Sequence, residues 1–310
     1  MPHLHKALTL YAILPQTMKL SFFIIFFPIF AFGQSTIRGK VINSKNKTAI
    51  PFATVGLTYE NIGTTSSEEG FFQFTSNKKF KRDTLIISII GYKTKRIPYD
   101  FNDLSDLTIE LSEQATVLNE IVITSKKNLI TTVLNDFSKC GNSYIGSNGF
   151  QTQLAQHFEV KEENSQLTEI KICRLSIALL DPEKTIFRIR IYDMDSVTKA
   201  PSFDLCNKII EIKSRSKIVN VNLEKYKIRI PSKDFFVSIE WLKIPFNESK
   251  SKMKVNGIET EYISYRPSIG WTDINNSKME AWSLDYRNIW RPMFKLNNKT
   301  SISISAKVKY

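Results

Sequence analysis

The feature that most restricts what this chain can fold into is a period of two. Thr36-Ile37-Arg38-Gly39-Lys40-Val41-Ile42 alternates between apolar and polar residues, and Thr185-Ile186-Phe187-Arg188-Ile189-Arg190-Ile191-Tyr192 does so again far downstream. Successive side chains of a strand point to opposite faces, so each such run presents two distinct faces to its surroundings. Turn-forming clusters punctuate the runs, as at 43–47 and from Gly63 to Gly70. Many short strands separated by turns predict an all-β chain of sandwiches. With 310 residues there is room for two domains of ordinary size. Hydrophobic content of 42% and charged content of 24% belong to a packed chain, and 21 Phe with 11 Tyr suit sheets stacked face to face.

The first set of strands occupies 34–112. Pro51 opens a strand, where proline is tolerated, and Phe52-Ala53-Thr54-Val55-Gly56-Leu57 continues it. Phe72 and Phe74 share one face, with Phe71 and Gln73 on the other. Asp83 to Tyr92 is a nearly continuous apolar run suited to a central strand, and Leu107-Thr108-Ile109-Glu110-Leu111 closes the set. The order Gly39-Lys40-Val41, Ile50-Pro51-Phe52-Ala53-Thr54-Val55, Gly63-Thr64-Thr65 through Gly70-Phe71-Phe72, and Ser88-Ile89-Ile90-Gly91-Tyr92 resembles the carboxypeptidase regulatory-like domain. That family stands at the N-terminus of many TonB-dependent outer-membrane receptors and other Bacteroidetes-type envelope proteins. The resemblance implies a transthyretin-like (prealbumin-like) sandwich of about seven strands without catalytic residues of its own. Gly70 would free the backbone to turn before Phe72 enters the core, and Gly91 would end the buried strand so that Tyr92 reaches the rim. A ligand loop from Gly63 to Gly70 is the competing reading, but it lacks the glycine density and following helix of a phosphate cradle.

Residues 113–149 read as a linker. Leu118-Asn119-Glu120-Ile121-Val122-Ile123-Thr124 resembles the segment that follows this domain in TonB-dependent receptors. Only 186 residues follow Thr124, too few for a receptor's plug and barrel. Leu129, Ile130, Val133, Leu134 and Phe137 recur at three and four, which predicts a short helix over 126–139 stopped by Gly141.

Period two returns over 150–310, with runs at 150–158, 169–175, 185–192, 218–223, 234–241 and 301–309. They predict a second antiparallel sandwich, jelly-roll-like, so the expected fold is two antiparallel β-sandwiches joined by a short helix. Phe187 to Asp193, Asn220-Val221-Asn222-Leu223, Ile230-Pro231 and Phe235 to Trp241 resemble an envelope-protein module seen behind regulatory-like domains, and also carbohydrate-binding jelly rolls.

Residues 1–33 read as an upstream extension and a signal peptide. Met18-Lys19-Leu20 precedes an apolar run over 21–32, and Ala31 and Gly33 supply small residues before a cut at Gln34. A membrane anchor competes, but the run is short and holds Pro28. No later run is apolar enough to cross a bilayer as a helix, and no cysteine follows the leader for lipid attachment. The expected location is the periplasm, the outer membrane or the cell surface. Lys6 and Lys19 lie in the leader with no acid, so the net charge of +13 becomes +11, from 41 basic and 30 acidic residues. The lysines are scattered, which suits a soluble surface or weak attraction to anionic partners, and no nucleic-acid motif accompanies them. Cys140, Cys173 and Cys206 fit no zinc spacing and leave open either one disulfide or three thiols.

The usual catalytic patterns do not stand out. His157, in an alternating run, has no Gly-x-Ser-x-Gly elbow to serve. Asp193 and Asp195 suggest calcium or an ordinary turn. Glu240 beside Trp241 suggests one of two glycosidase carboxylates or a structural glutamate. Trp271, Trp282, Tyr286 and Trp290 are the candidate contact residues for a ligand or partner, with core packing as the competing role. The expectation is a non-catalytic exported envelope protein for binding or assembly, its partner an envelope protein or glycan. No cofactor or metal is expected. The alternative is a carbohydrate-binding protein or glycan hydrolase using the C-terminal sandwich.

Overall fold

The computed structural model describes residues 35–77, 80–102, 105–114, 130–137, 140–141, 143–147, 149–174, 184–255, 257–272, 280–293 and 301–310. The expected signal peptide, the Leu118–Thr124 segment and parts of the expected helix fall outside these residues. The regular secondary structure among these residues is nearly all strand.

Seven strands build the first sandwich: β1 (Ser35–Asn43), β2 (Thr54–Leu57), β3 (Ile62–Thr65), β4 (Phe71–Ser76), β5 (Arg82–Ser88), β6 (Lys95–Asp100) and β7 (Leu107–Leu111). They form two sheets, ordered β4-β1-β7 and β3-β2-β5-β6. Ile37, Val41, Val55, Leu57, Phe72, Leu85, Ile87, Ile109 and Leu111 fill the space between them. The pairing is antiparallel except for β1 with β7, which is parallel. Gly70 has φ +80, and a Cβ there would lie 2.6 Å from the Val41 carbonyl oxygen, so only glycine fits that turn. The stretch read as a turn from Gly63 begins only after Thr65, because 62–65 pairs with β2 as β3.

The second body continues with β8 (Thr131–Leu134), β9 (Tyr144–Ser147), β10 (Gln151–Glu159), β11 (Ser165–Cys173), β12 (Thr185–Met194), β13 (Pro201–Asp204), β14 (Ile210–Ser214), β15 (Ile218–Asn222), β16 (Arg229–Ile230) and β17 (Asp234–Trp241). It ends with β18 (Glu248–Val255), β19 (Ile258–Gly270), β20 (Ala281–Asp285), β21 (Trp290–Pro292) and β22 (Ile304–Lys309). One sheet runs β13-β12-β17-β10-β20-β21 with β14 beside β12, and the facing sheet runs β15-β11-β22-β8 with β16 beside β11. The core between them takes Phe187, Ile189 and Ile191 from the first and Ile170, Ile172 and Val308 from the second. The chain crosses repeatedly from sheet to sheet, as at β10 to β11 to β12, in keeping with a jelly-roll-like sandwich. A third sheet, β18-β19-β9, leaves the β18–β19 hairpin largely exposed.

The helix expected over 126–139 is corrected by β8. Thr131 to Leu134 pair with Lys309 to Ala306 on the open edge of β22. Thr131, Thr132 and Val133 are β-branched and favour strand, and an unpaired edge offers their backbone a full ladder, which outweighs the apolar stripe. The stripe itself divides: Phe137 is buried, while Ile130 and Val133 are exposed. Cys140 and Cys173 form a disulfide with Cα atoms 5.7 Å apart, tying the chain after β8 to the end of β11. Cys206 is a buried free thiol.

Candidate functional site

The outer face of the large sheet carries the densest chemistry. Because β12 sends Phe187, Ile189 and Ile191 inward, Arg188, Arg190 and Tyr192 must point outward. The register sets Arg188 opposite Glu240, Arg190 opposite Ser238 and Tyr192 opposite Phe236 on β17. Next comes β10, with Gln153 opposite Glu240 and Ala155 opposite Ser238.

Several of these polar groups pair with one another, while Arg188 Nε and Glu240 Oε2 have no hydrogen-bond partner. Arg190 holds Asp204 through two hydrogen bonds, one of 2.9 Å, and its Nη1 lies 3.9 Å from Glu240 Oε1. The Tyr192 hydroxyl donates to Gln153 Oε1 at 2.8 Å, and the Ser238 hydroxyl donates to the same oxygen at 3.0 Å. Burial opposes the charge on Arg190, but Tyr192, Asp204 and Glu240 outweigh it and hold the guanidinium more firmly protonated than usual. Burial also pushes the Tyr192 phenol well above its ordinary value. Glu240 is 3% exposed and sits beside both arginines. A carboxyl covered to this degree is out of reach of a substrate's leaving group.

Aromatic rings cover the rest of the face. Trp282 meets Phe236 edge to face at 6.2 Å, and Trp290 meets Tyr192 in the same way at 5.6 Å. Four strand spacings separate β12 from β21, about 19 Å on a flat sheet, so the sheet curls toward this face. Ala155 gives the rings room. His157 lies 5.1 Å from the Phe236 ring and 2.8 Å from Asp234 Oδ1 through Nε2.

At the Arg188 end the first sandwich is docked. Arg188 donates to the carbonyls of Phe52 at 2.8 Å and Pro51 at 3.3 Å, and its guanidinium lies over the Phe52 ring. Phe52, Ile186, Leu242 and Ile244 form a small shared core. The backbone of Lys243 donates to Thr65 Oγ1 at 2.9 Å and accepts from Thr64 Oγ1 at 3.3 Å. Tyr286 lies on β2 and β3, where a Cβ at Gly56 would stand 2.2 Å from its ring.

The four candidate contact residues are therefore scattered. Trp271 lies in the main core at 3% exposure, and Tyr286 is buried in the junction. Trp282 and Trp290 share the outer face and remain half-buried. Asp193 accepts a hydrogen bond from Ser232 at 2.7 Å, while Asp195 caps its own turn by accepting from the amides of Val197 and Thr198. Sequence reasoning missed the Arg188, Arg190, Glu240 and Asp204 network. Its one signal was a pair of arginines two apart inside an otherwise apolar strand.

Residues 37–123 match the family model described as CarboxypepD_reg-like domain, the domain expected from the motifs above. No curated protein matches the chain. Among solved structures, the cysteine protease and lectin-like domains of Cwp84, a surface layer associated protein of Clostridium difficile, are similar at 13% identity and a TM-score of 0.37. That match covers 80% of this chain and 46% of the other. The same clostridial cysteine protease after propeptide cleavage gives 13% identity and 0.34, over 80% and 51%. The chain thus spans about half the length of these solved chains.

Proposed function

We propose that the chain is an exported, non-catalytic cell-envelope protein that binds or assembles with a partner through the Trp282 and Trp290 end of its large sheet. The observation that carries this reading is the state of the outer face. On it Glu240 is buried beside Arg188 and Arg190, whereas two tryptophans remain half-exposed above an aromatic bed. Such rings offer a contact surface, whereas a carboxyl sealed from solvent is out of a substrate's reach. The Cys140–Cys173 disulfide supports an oxidising destination such as the periplasm or cell surface, as does the apolar leader in the sequence.

A glycan partner is favoured by the same two tryptophans, because indole faces stack on sugar rings. The test is retention of the full chain on purified envelope glycans and on envelope proteins, with Trp282→Ala/Trp290→Ala in parallel. Retention on one class, lost in the double variant, supports the reading. Release of reducing sugar from the glycans would overturn the non-catalytic part, and equal retention of the double variant would move the surface elsewhere.

A further inference from the structure

We propose that the contact between the two sandwiches is a reversible latch that opens on acidification, with Lys243 as its proton-sensing group. A permanent interface buries apolar surface and satisfies the polar groups it covers. This one has an apolar centre of four side chains, Phe52, Ile186, Leu242 and Ile244. Around it, Arg188 Nε, Glu240 Oε2 and the Tyr286 hydroxyl are buried without a hydrogen-bond partner. Opening would hydrate all three polar groups. The closed state therefore carries costs that an open state does not.

Lys243 supplies the dependence on protons. It lies immediately after β17, at 3% exposure, with backbone hydrogen bonds to Thr64 and Thr65 of the first sandwich. Its amine has three donors and uses one, at 2.6 Å to the Gly149 carbonyl. The titratable groups that face it are the phenols of Tyr286, from the end of β20, and Tyr265, from β19, whose ring centroids lie 4.6 and 5.8 Å from Nζ. Burial holds both phenols above their ordinary value, so they stay neutral. Strand β3 presents only the hydroxyls of Thr64 and Thr65. Arg188 from β12, Glu240 from β17 and Glu211 from β14 carry the junction's remaining charges, and they pair among themselves. Among the described residues no carboxylate pairs with Lys243.

The sign follows from linkage. Burial lowers the Lys243 amine from 10.5 to about 7 in the closed state, whereas water restores the higher value on opening. Protons therefore bind the open state more tightly. The closed state is favoured most at high pH, loses ground as pH falls from 10.5 towards 7, and levels off below that.

Hydrogen exchange of the full chain tests the latch at two amides that donate across it, Lys243 to Thr65 and Tyr286 to Asn61. After correction for intrinsic rates, protection at both should fall about 30-fold between pH 8.5 and 5.5. In Lys243→Gln and Lys243→Met the fall should be under about threefold. Unchanged protection in the wild type, or an equal fall in the variants, would overturn the proposal. Should neither variant fold, NMR titration of the Lys243 amine decides it: a midpoint near 7 supports the latch, and one near the ordinary lysine value refutes it.

Discussion

The two sandwiches bury polar groups in opposite ways. In the first, Asp83 is the buried acid, and its carboxylate accepts from the amides of Tyr59 and Glu60 and from the Thr58 hydroxyl, all in the neighbouring turn. Its solution is backbone-based and compact. In the second, Arg188, Arg190, Glu240 and Asp204 meet across β12, β13 and β17, and each depends on side chains from another strand. The first sandwich therefore tolerates change around one turn, while the second is exposed to a fault at any member of its network.

The largest expected effect breaks that network. Arg190→Met should leave Asp204 and Glu240 without their shared cation and cost about 3–5 kcal/mol in urea melts. Asp83→Ala, the matching change in the first sandwich, should cost about 1–3 kcal/mol, because it strips buried amides of their acceptor. If both variants lose the same amount, the contrast between the sandwiches fails. Gly56→Ala sharpens it from the junction side. The new methyl meets Tyr286, so about 1–3 kcal/mol should be lost, with faster exchange at the Tyr286 amide.

Acid probes the second sandwich again. Burial opposes ionisation of Asp285, but Arg287 and Arg291 outweigh it and hold the carboxyl below its usual 3.8. That stability is complete above the unfolded value and disappears as pH falls through the lower folded one, so Asp285→Asn should flatten the acid limb of the melting curve. The smallest effect belongs to the first sandwich: Lys47→Ala removes a solvent-exposed pair with Glu110 and should change stability by at most about 1 kcal/mol.

Much of the first sandwich was legible because its determinants are local. Leu107 to Leu111 and Asp234 to Trp241 were read with their observed bounds. The β18–β19 hairpin was not read, because the period-two runs noted pass from 234–241 directly to 301–309. The region around β8 was not legible, because an apolar stripe at helical spacing gives no hint of an open strand edge waiting at β22. Among the tryptophans, Trp271 and Trp282 look alike in sequence, yet one faces the core and the other the curled outer face.

By itself, then, the sequence determined that the chain is all-β, that its first folded part is a carboxypeptidase regulatory-like sandwich, and that a second set of strands follows. These follow from alternation and turn residues, which act over a few positions. Only the tertiary structure decided that Arg188 clasps Pro51 and Phe52, that Lys243 is buried with no counter-charge among the described residues, and that Trp282 and Trp290 share one face. The first two depend on docking between residues more than a hundred positions apart, which no local pattern encodes, and the third depends on register and sheet curl.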